Sequence, residues 1–201
     1  MHSEFKLKKN AESKKYWSAK AKKHYNKVGS WIKGNSYLDF GGGDGHMADI
    51  FGALVKTKTV YVVDVAEWAG QKRKPNPNIN FTDDLKSIKS NSINFISAWH
   101  VLHHIKEIKN TIKEFKRILK PNGRLVIYEH NVKNKMQGRF VEFKHRIFTM
   151  GMDTMTLKKH QETYSKFRSA DQWQKIIGMQ LLKVIDIKSN DYSYYAVFKN
   201  V

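Results

Sequence analysis

With 201 residues, 40% of them apolar, the chain suits one domain with a sizeable core, and no apolar run approaches the roughly 18 residues of a membrane span. There is no cysteine, which excludes disulfides, thiolate zinc sites and a cysteine nucleophile. The net charge of +19, from 37 Lys+Arg against 18 Asp+Glu, should attract polyanions such as nucleic acid, although AT-rich coding bias produces the same lysine excess on a merely solvated surface.

Residues 1–34 hold ten lysines against Glu4 and Glu12 and read as a basic helical lead, with Trp17, Ala21, His24, Tyr25 and Val28 at helical spacing. Nothing in MHSEFKLKKNAESKKYW resembles the apolar core of a signal peptide, so a cytoplasmic location is expected. Ser36–Phe40 is a short strand that runs into Gly41-Gly42-Gly43-Asp44-Gly45, and a helix follows from about His46 to Val55. Thr59–Asp64 is a buried-type strand ending in an acid. Lys72–Asn78 (KRKPNPN) is a loop, and Ile79–Phe81 and Ile93–Trp99 are further strands.

Residues 105–119 form the clearest helix, with Ile105, Ile108, Ile112, Phe115 and Leu119 on one stripe. Pro121-Asn122-Gly123 ends it and turns into a strand, Arg124–Glu129. Residues 131–168 are polar, basic and poorly periodic, and are expected to be an insertion or lid. A last helix, about Ala170–Ile177, leads to strands Leu181–Lys188 and Tyr192–Lys199, joined by a tight hairpin at Ser189-Asn190-Asp191. Strands alternating with helices imply a parallel sheet, and the closing hairpin adds one antiparallel strand. The expected fold class is α/β: one domain over residues 1–201 with a Rossmann-like, seven-stranded, mostly parallel sheet, a C-terminal antiparallel hairpin strand and helices on both faces.

The chemistry centres on Asp39-Phe40-Gly41-Gly42-Gly43-Asp44-Gly45-His46, between a strand and a helix. Glycines there let the backbone turn sharply and approach a ligand, and the helix start offers unpaired N–H groups. Dinucleotide sites use the same device, so the turn alone is weak evidence. Asp64 ends the next strand, 19 residues after Gly45, where a carboxylate can accept both hydroxyls of a ribose.

These residues resemble the class I S-adenosylmethionine-dependent methyltransferases. Asp39, Gly41, Gly43 and Gly45 match that family's first motif, D-x-G-x-G-x-G. AWHVLHHI and ILKPNGRLVIYE look like its later motifs, with Asn122 in place of a glycine and Asn94 where many relatives carry Asp. The resemblance covers residues 36–130 and implies S-adenosylmethionine as cofactor. It implies that Asp39 lies by the methionine amino group, with Gly41, Gly43 and Gly45 lining the cofactor and Asp64 on the ribose. It further implies that Asp83 or Asp84 lies by the adenine, the other being a helix cap, and that Trp99 and His100 flank the methionine part. Trp99 as plain core is the competing reading. His100, His103 and His104 lie close in sequence, but no carboxylate–histidine spacing accompanies them and no metal is expected.

Aligning a nucleophile with the cofactor's methyl group supplies about 7–11 kcal/mol of the barrier. A base nitrogen needs little more, whereas a hydroxyl needs a general base. Ribose 2′-hydroxyl methyltransferases commonly carry a Lys-Asp-Lys-Glu set with its aspartate after the fourth strand. Here that stretch is Ser97-Ala98-Trp99-His100, without an aspartate. The expected substrate is therefore an RNA base nitrogen, such as a cap guanine N7 or a tRNA base. His100 and His130 are the candidate bases should a hydroxyl be the target. Basic segments interleaved with Tyr16, Trp17, Tyr25, Phe140, Phe143, Phe148, Tyr164 and Phe167 fit RNA. YEHN and FRSADQW also resemble small virus-encoded methyltransferase domains that modify RNA caps. Two alternatives stay open: a small-molecule O-, N- or C-methyltransferase with 131–168 as lid, and an inactive fold that binds RNA or a protein partner.

Overall fold

The computed structural model describes residues 2–64, 79–151, 165–180, 182–189 and 192–201. The expected loop at Lys72–Asn78, the hairpin tip at Asn190-Asp191, Tyr164 and much of the expected lid lie outside the described residues.

Among the described residues, seven strands form one sheet: β1 (Ser36–Phe40), β2 (Thr59–Val63), β3 (Ile79–Thr82), β4 (Ile93–Trp99), β5 (Leu119–His130), β6 (Leu182–Ser189) and β7 (Ser193–Asn200). Their order is β3-β2-β1-β4-β5-β7-β6, with parallel pairing from β3 through β5 and β7 antiparallel to both its neighbours. The five described α-helices are α1 (His2–Val28), α2 (His46–Leu54), α3 (Ile108–Ile118), α4 (Lys135–Gly151) and α5 (Ala170–Gly178).

Both faces of the sheet are buried, as parallel sheets require. Alternation along β1 and β4 splits the side chains between two cores. Leu38, Phe40, Ile96 and Ala98 face α3 and α5, where Ile108, Ile112, Phe115, Trp173 and Ile177 cover them. Tyr37, Phe95 and Trp99 face α1 and α2, against Ala21, Val28, Met47 and Phe51. The apolar ridges of α1, α2, α3 and α5 thus each have a sheet face to bury them, and this burial, at about 25 cal/mol per Å² of apolar surface, drives the assembly.

The α3 helix begins three residues later than its apolar stripe predicts. Residues 106–107 form a turn instead, and Leu102–His104 before them form a 3-10 turn whose Leu102 amide donates to the buried Glu129 carboxylate at 2.7 Å. The stretch expected to be aperiodic contains α4. Its apolar stripe, Met136, Phe140, Phe143 and Ile147, has helical spacing but faces solvent. Basic residues interleaved with that stripe hide it from a periodicity reading.

The segment after α4 is anchored at the end of β5. Asn131 takes the Ala170 amide on its Oδ1 at 3.0 Å, and the Val132 amide donates to the Arg168 carbonyl at 3.1 Å. Ser169 then caps α5: its hydroxyl accepts from the Gln172 amide while the Gln172 side chain accepts from the Ser169 amide, a reciprocal capping box. Ser169→Ala should lower stability by about 1 kcal/mol. Urea unfolding should show this as a lower midpoint at an unchanged slope.

Candidate cofactor and active site

The glycine turn lies at the carboxyl end of β1. Gly41, Gly43 and Gly45 all take positive φ, at 73°, 55° and 75°. At Gly41 no side chain fits, since a Cβ would lie 2.3 Å from Val101 Cγ2. The loop is closed by backbone bonds from Gly41 N–H to the Val63 carbonyl at 2.7 Å and from Gly45 N–H to the Gly42 carbonyl at 2.9 Å. Asp64, just past β2, accepts from the Gly43 amide at 2.8 Å, which ties the second strand's acid to the turn.

Asp39 is buried beneath this turn. The β1–β4 register sets it opposite Ser97, and the Ser97 hydroxyl donates to Asp39 Oδ1 at 2.5 Å. The Tyr37 hydroxyl lies 2.8 Å from Ser97 Oγ, which completes a relay of three side chains on one sheet face. Burial raises the Asp39 carboxyl to about 7, against the opposing pull of Ser97, Tyr37 and the Lys20 ammonium. Lys20 comes from α1, and its own proton affinity is lowered by burial, partly offset by the Asp39 charge. A buried carboxyl held near neutrality beside a bare, positive-φ turn fits a ligand that brings its own cation.

His24, also from α1, stacks on Trp99 with ring centroids 4.3 Å apart and shares a 3.0 Å hydrogen bond with the Tyr195 hydroxyl. Burial lowers its proton affinity to about 3, and its Nε2 is buried without a hydrogen-bond partner. Trp99 packs between His24 and Phe51 in the α1–α2 core. Asp84 caps the 3-10 turn Leu85–Ser87 by accepting from the Lys86 amide at 2.8 Å, and Asp83 beside it is exposed.

His100 ends β4 with a positive φ of 53°, and burial lowers its proton affinity to about 3. Its Nδ1 is buried without a hydrogen-bond partner. Its ring lies 4.4 Å from that of His130, whose proton affinity burial and neighbouring His103 lower to about 4. The two histidines expected as candidate bases are thus brought together, at the ends of adjacent strands.

Sequence reasoning missed Ser97, Tyr37, Lys20 and His24 at this site. Ser97 was visible only through the strand register, and Lys20 and His24 only through the docking of α1 on the sheet.

Beside the histidines, residues of the β5–α4 connection, α4 and the stretch after it line an open surface groove of about 520 Å³. Lys133, Lys135, Arg139, Lys166 and Phe167 line it together with Glu142. The Phe167 ring also lies near His103 and His130, at centroid distances of 5.0 and 5.3 Å.

A family model described as a methyltransferase domain matches residues 11–177. The methyltransferase YcgJ of Bacillus subtilis is 24% identical over 160 residues, which are 75% of this chain and 58% of that protein, so the chain spans little more than half of this relative's length. Among solved structures, a chain of the complex between the Haloferax volcanii Trm112 methyltransferase activator and a methyltransferase superposes with a TM-score of 0.67 at 12% identity, covering 92% of this chain and 96% of that one. A sarcosine dimethylglycine methyltransferase from Galdieria sulphuraria superposes with a TM-score of 0.66 at 12% identity, covering 91% and 84%. These likenesses agree on the fold, and no helix among the described residues is long and apolar enough to cross a membrane. The match over most of its length identifies the chain as a member of the methyltransferase-domain family.

Proposed function

We propose that this chain is an enzyme that uses S-adenosylmethionine to methylate a base nitrogen of RNA. The observation that carries the reading is the open groove beside His130, whose lining includes Lys133, Lys135, Arg139, Lys166 and Phe167. Four cations suit phosphates, and an aromatic ring suits a stacked base. The exposed Phe140 and Phe143 on α4, with the Lys144 ammonium 4.6 Å from the Phe140 ring, extend the same chemistry outward.

The bound cofactor supplies a methyl group on a positively charged sulfur. Asp39 would meet its ammonium, Asp64 its ribose and Asp83 its adenine, since Asp84 is engaged as a cap. Gly41, Gly43 and Gly45 would let the backbone approach it, and His100 would border the reacting end. His24 and Trp99 would close the α1 side and exclude water. The weak basicity of His100 favours a nucleophile that already has a lone pair, because a group with a proton affinity near 3 extracts little from a hydroxyl. A base nitrogen meets that condition. The RNA presents it, the cations position the backbone, and orientation provides the catalysis.

The test is methyl transfer from labelled S-adenosylmethionine to RNA oligonucleotides and, in parallel, to small amines. Transfer to RNA should fall steeply with salt. Arg139→Glu with Lys166→Glu should reduce kcat/KM for RNA by about 10-fold or more while cofactor affinity holds, since each phosphate contact contributes on the order of 1 kcal/mol. Transfer to amines alone, insensitive to these substitutions, would overturn the RNA reading.

A further inference from the structure

Five histidines converge where β4 and β5 end, yet methyl transfer to a lone-pair nitrogen has no use for so many. Three of them form a compact group. His103 and His104 lie on the 3-10 turn after β4, and His145 comes from α4. One ring nitrogen from each lies within 4.8 Å of the others. His103 Nε2 and His145 Nε2 are 3.4 Å apart. Two nitrogens on one zinc ion, each at about 2.0–2.1 Å, are separated in tetrahedral geometry by roughly 3.3 Å. The existing pair already has this spacing.

The support behind His103 is of the kind metal-binding imidazoles need. Its other nitrogen, Nδ1, lies 2.8 Å from Glu129 Oε2. Glu129 is fully buried, and its second oxygen accepts from the Leu102 amide, so the carboxylate is held by the same turn that carries the two histidines. With Nδ1–H donated to the carboxylate, the lone pair of Nε2 is directed at His145. A carboxylate–imidazole pair of this sort fixes the tautomer and raises the ligand's basicity. The Ser165 hydroxyl lies 3.3 Å from His104 Nδ1 and restrains that ring in turn.

We propose that His103, His104 and His145 bind a divalent metal ion of the zinc type, with Glu129 as the carboxylate that orients His103. The imidazole donors and short spacing suit zinc or cobalt rather than magnesium or calcium, which prefer oxygen ligands. Three histidines leave the fourth tetrahedral position to water or another ligand. The ion bridges α4 to the turn after β4. It thereby fixes the helix that forms one wall of the basic groove, and Phe167, 5.0 Å from the His103 ring, packs against the site. The ligands come from two elements 41 residues or more apart, so no short spacing in the chain announces them.

Tag-free protein, stripped with a chelator, would be titrated with Zn²⁺ against a chromophoric competitor and with Co²⁺ by visible absorption. The expected result is one equivalent of Zn²⁺ per chain and the intense visible bands of tetrahedral Co²⁺. His145→Ala, a half-buried helix position chosen to leave the fold intact by circular dichroism, should weaken binding at least about 100-fold, as loss of a direct ligand exceeds the 10–100-fold expected for the supporting Glu129→Gln. His46→Ala, which removes a histidine 3.7 Å from Asp44 on the far side of the glycine turn, should leave binding unchanged. Absence of stoichiometric Zn²⁺ binding, or binding that His145→Ala leaves intact, would overturn the proposal and identify the 3.4 Å contact as a plain hydrogen bond. The readout requires no methyl transfer, so it stands or falls apart from the RNA assay.

Discussion

Asp39→Ala should cost about 2–5 kcal/mol of S-adenosylmethionine binding, or roughly 30- to 4,000-fold in Kd, by removing one member of a buried charge pair. Calorimetric titration with the cofactor and with S-adenosylhomocysteine measures it. The same experiment carries a pH signature. Because burial raises Asp39 to about 7, the folded protein without cofactor holds a proton there that the unfolded chain has released by about pH 4–5. Stability from this group is therefore present at low pH and declines as pH rises through 7. A cofactor ammonium favours the ionised carboxylate, so binding below pH 7 should release a proton, and affinity should rise with pH and level off above 7. Titrations in buffers of different ionisation enthalpy count that proton. Asp39→Asn should bind as poorly as the alanine variant, release no proton, and be more stable than the parent at pH 8. An Asn variant that binds normally would remove Asp39 from the cofactor's surroundings.

Gly41→Ala should disturb both stability and binding. At φ 73° an L residue costs about 1–2 kcal/mol, and the new methyl would lie 2.3 Å from Val101 Cγ2, so one of the two must shift. The expected outcome is a loss of about 1–3 kcal/mol in urea unfolding and a cofactor affinity lower by about 10-fold or more, as backbone shifts move the turn that also holds Asp64 through Gly43. Pairing it with Val101→Ala separates the causes. The double variant should recover the steric part and retain the φ part, giving a coupling energy of about 0.5–3 kcal/mol in a double-mutant cycle. Strict additivity would mean that the contact with Val101 carries no weight.

Both predictions rest on residues that are legible in the amino-acid chain. Asp39, Gly41, Gly43, Gly45 and Asp64 can be found because a strand, a tight turn and a helix occupy consecutive positions, and local backbone physics dictates glycine where φ is positive. The strands and the α3 stripe are legible for the same reason: apolar periodicity is a local property. The choice between Asp83 and Asp84 is not, since capping depends on which of two adjacent carboxylates reaches the Lys86 amide.

Other features arise only from contacts between distant segments. Ser97 becomes the partner of Asp39 through parallel register, Lys20 and His24 reach the site because α1 docks on the sheet, and the Glu129 carboxylate anchors the turn after β4 through the Leu102 amide. The histidine group of His103, His104 and His145 likewise appears only when α4 folds back over the turn after β4. Backbone preference and hydrophobic period act over a few residues and can be read in order along the chain. Hydrogen-bond partners, buried charges and ligand sets are set by how sheet register and helix docking bring separate stretches together, and that information is carried by packing across the whole core.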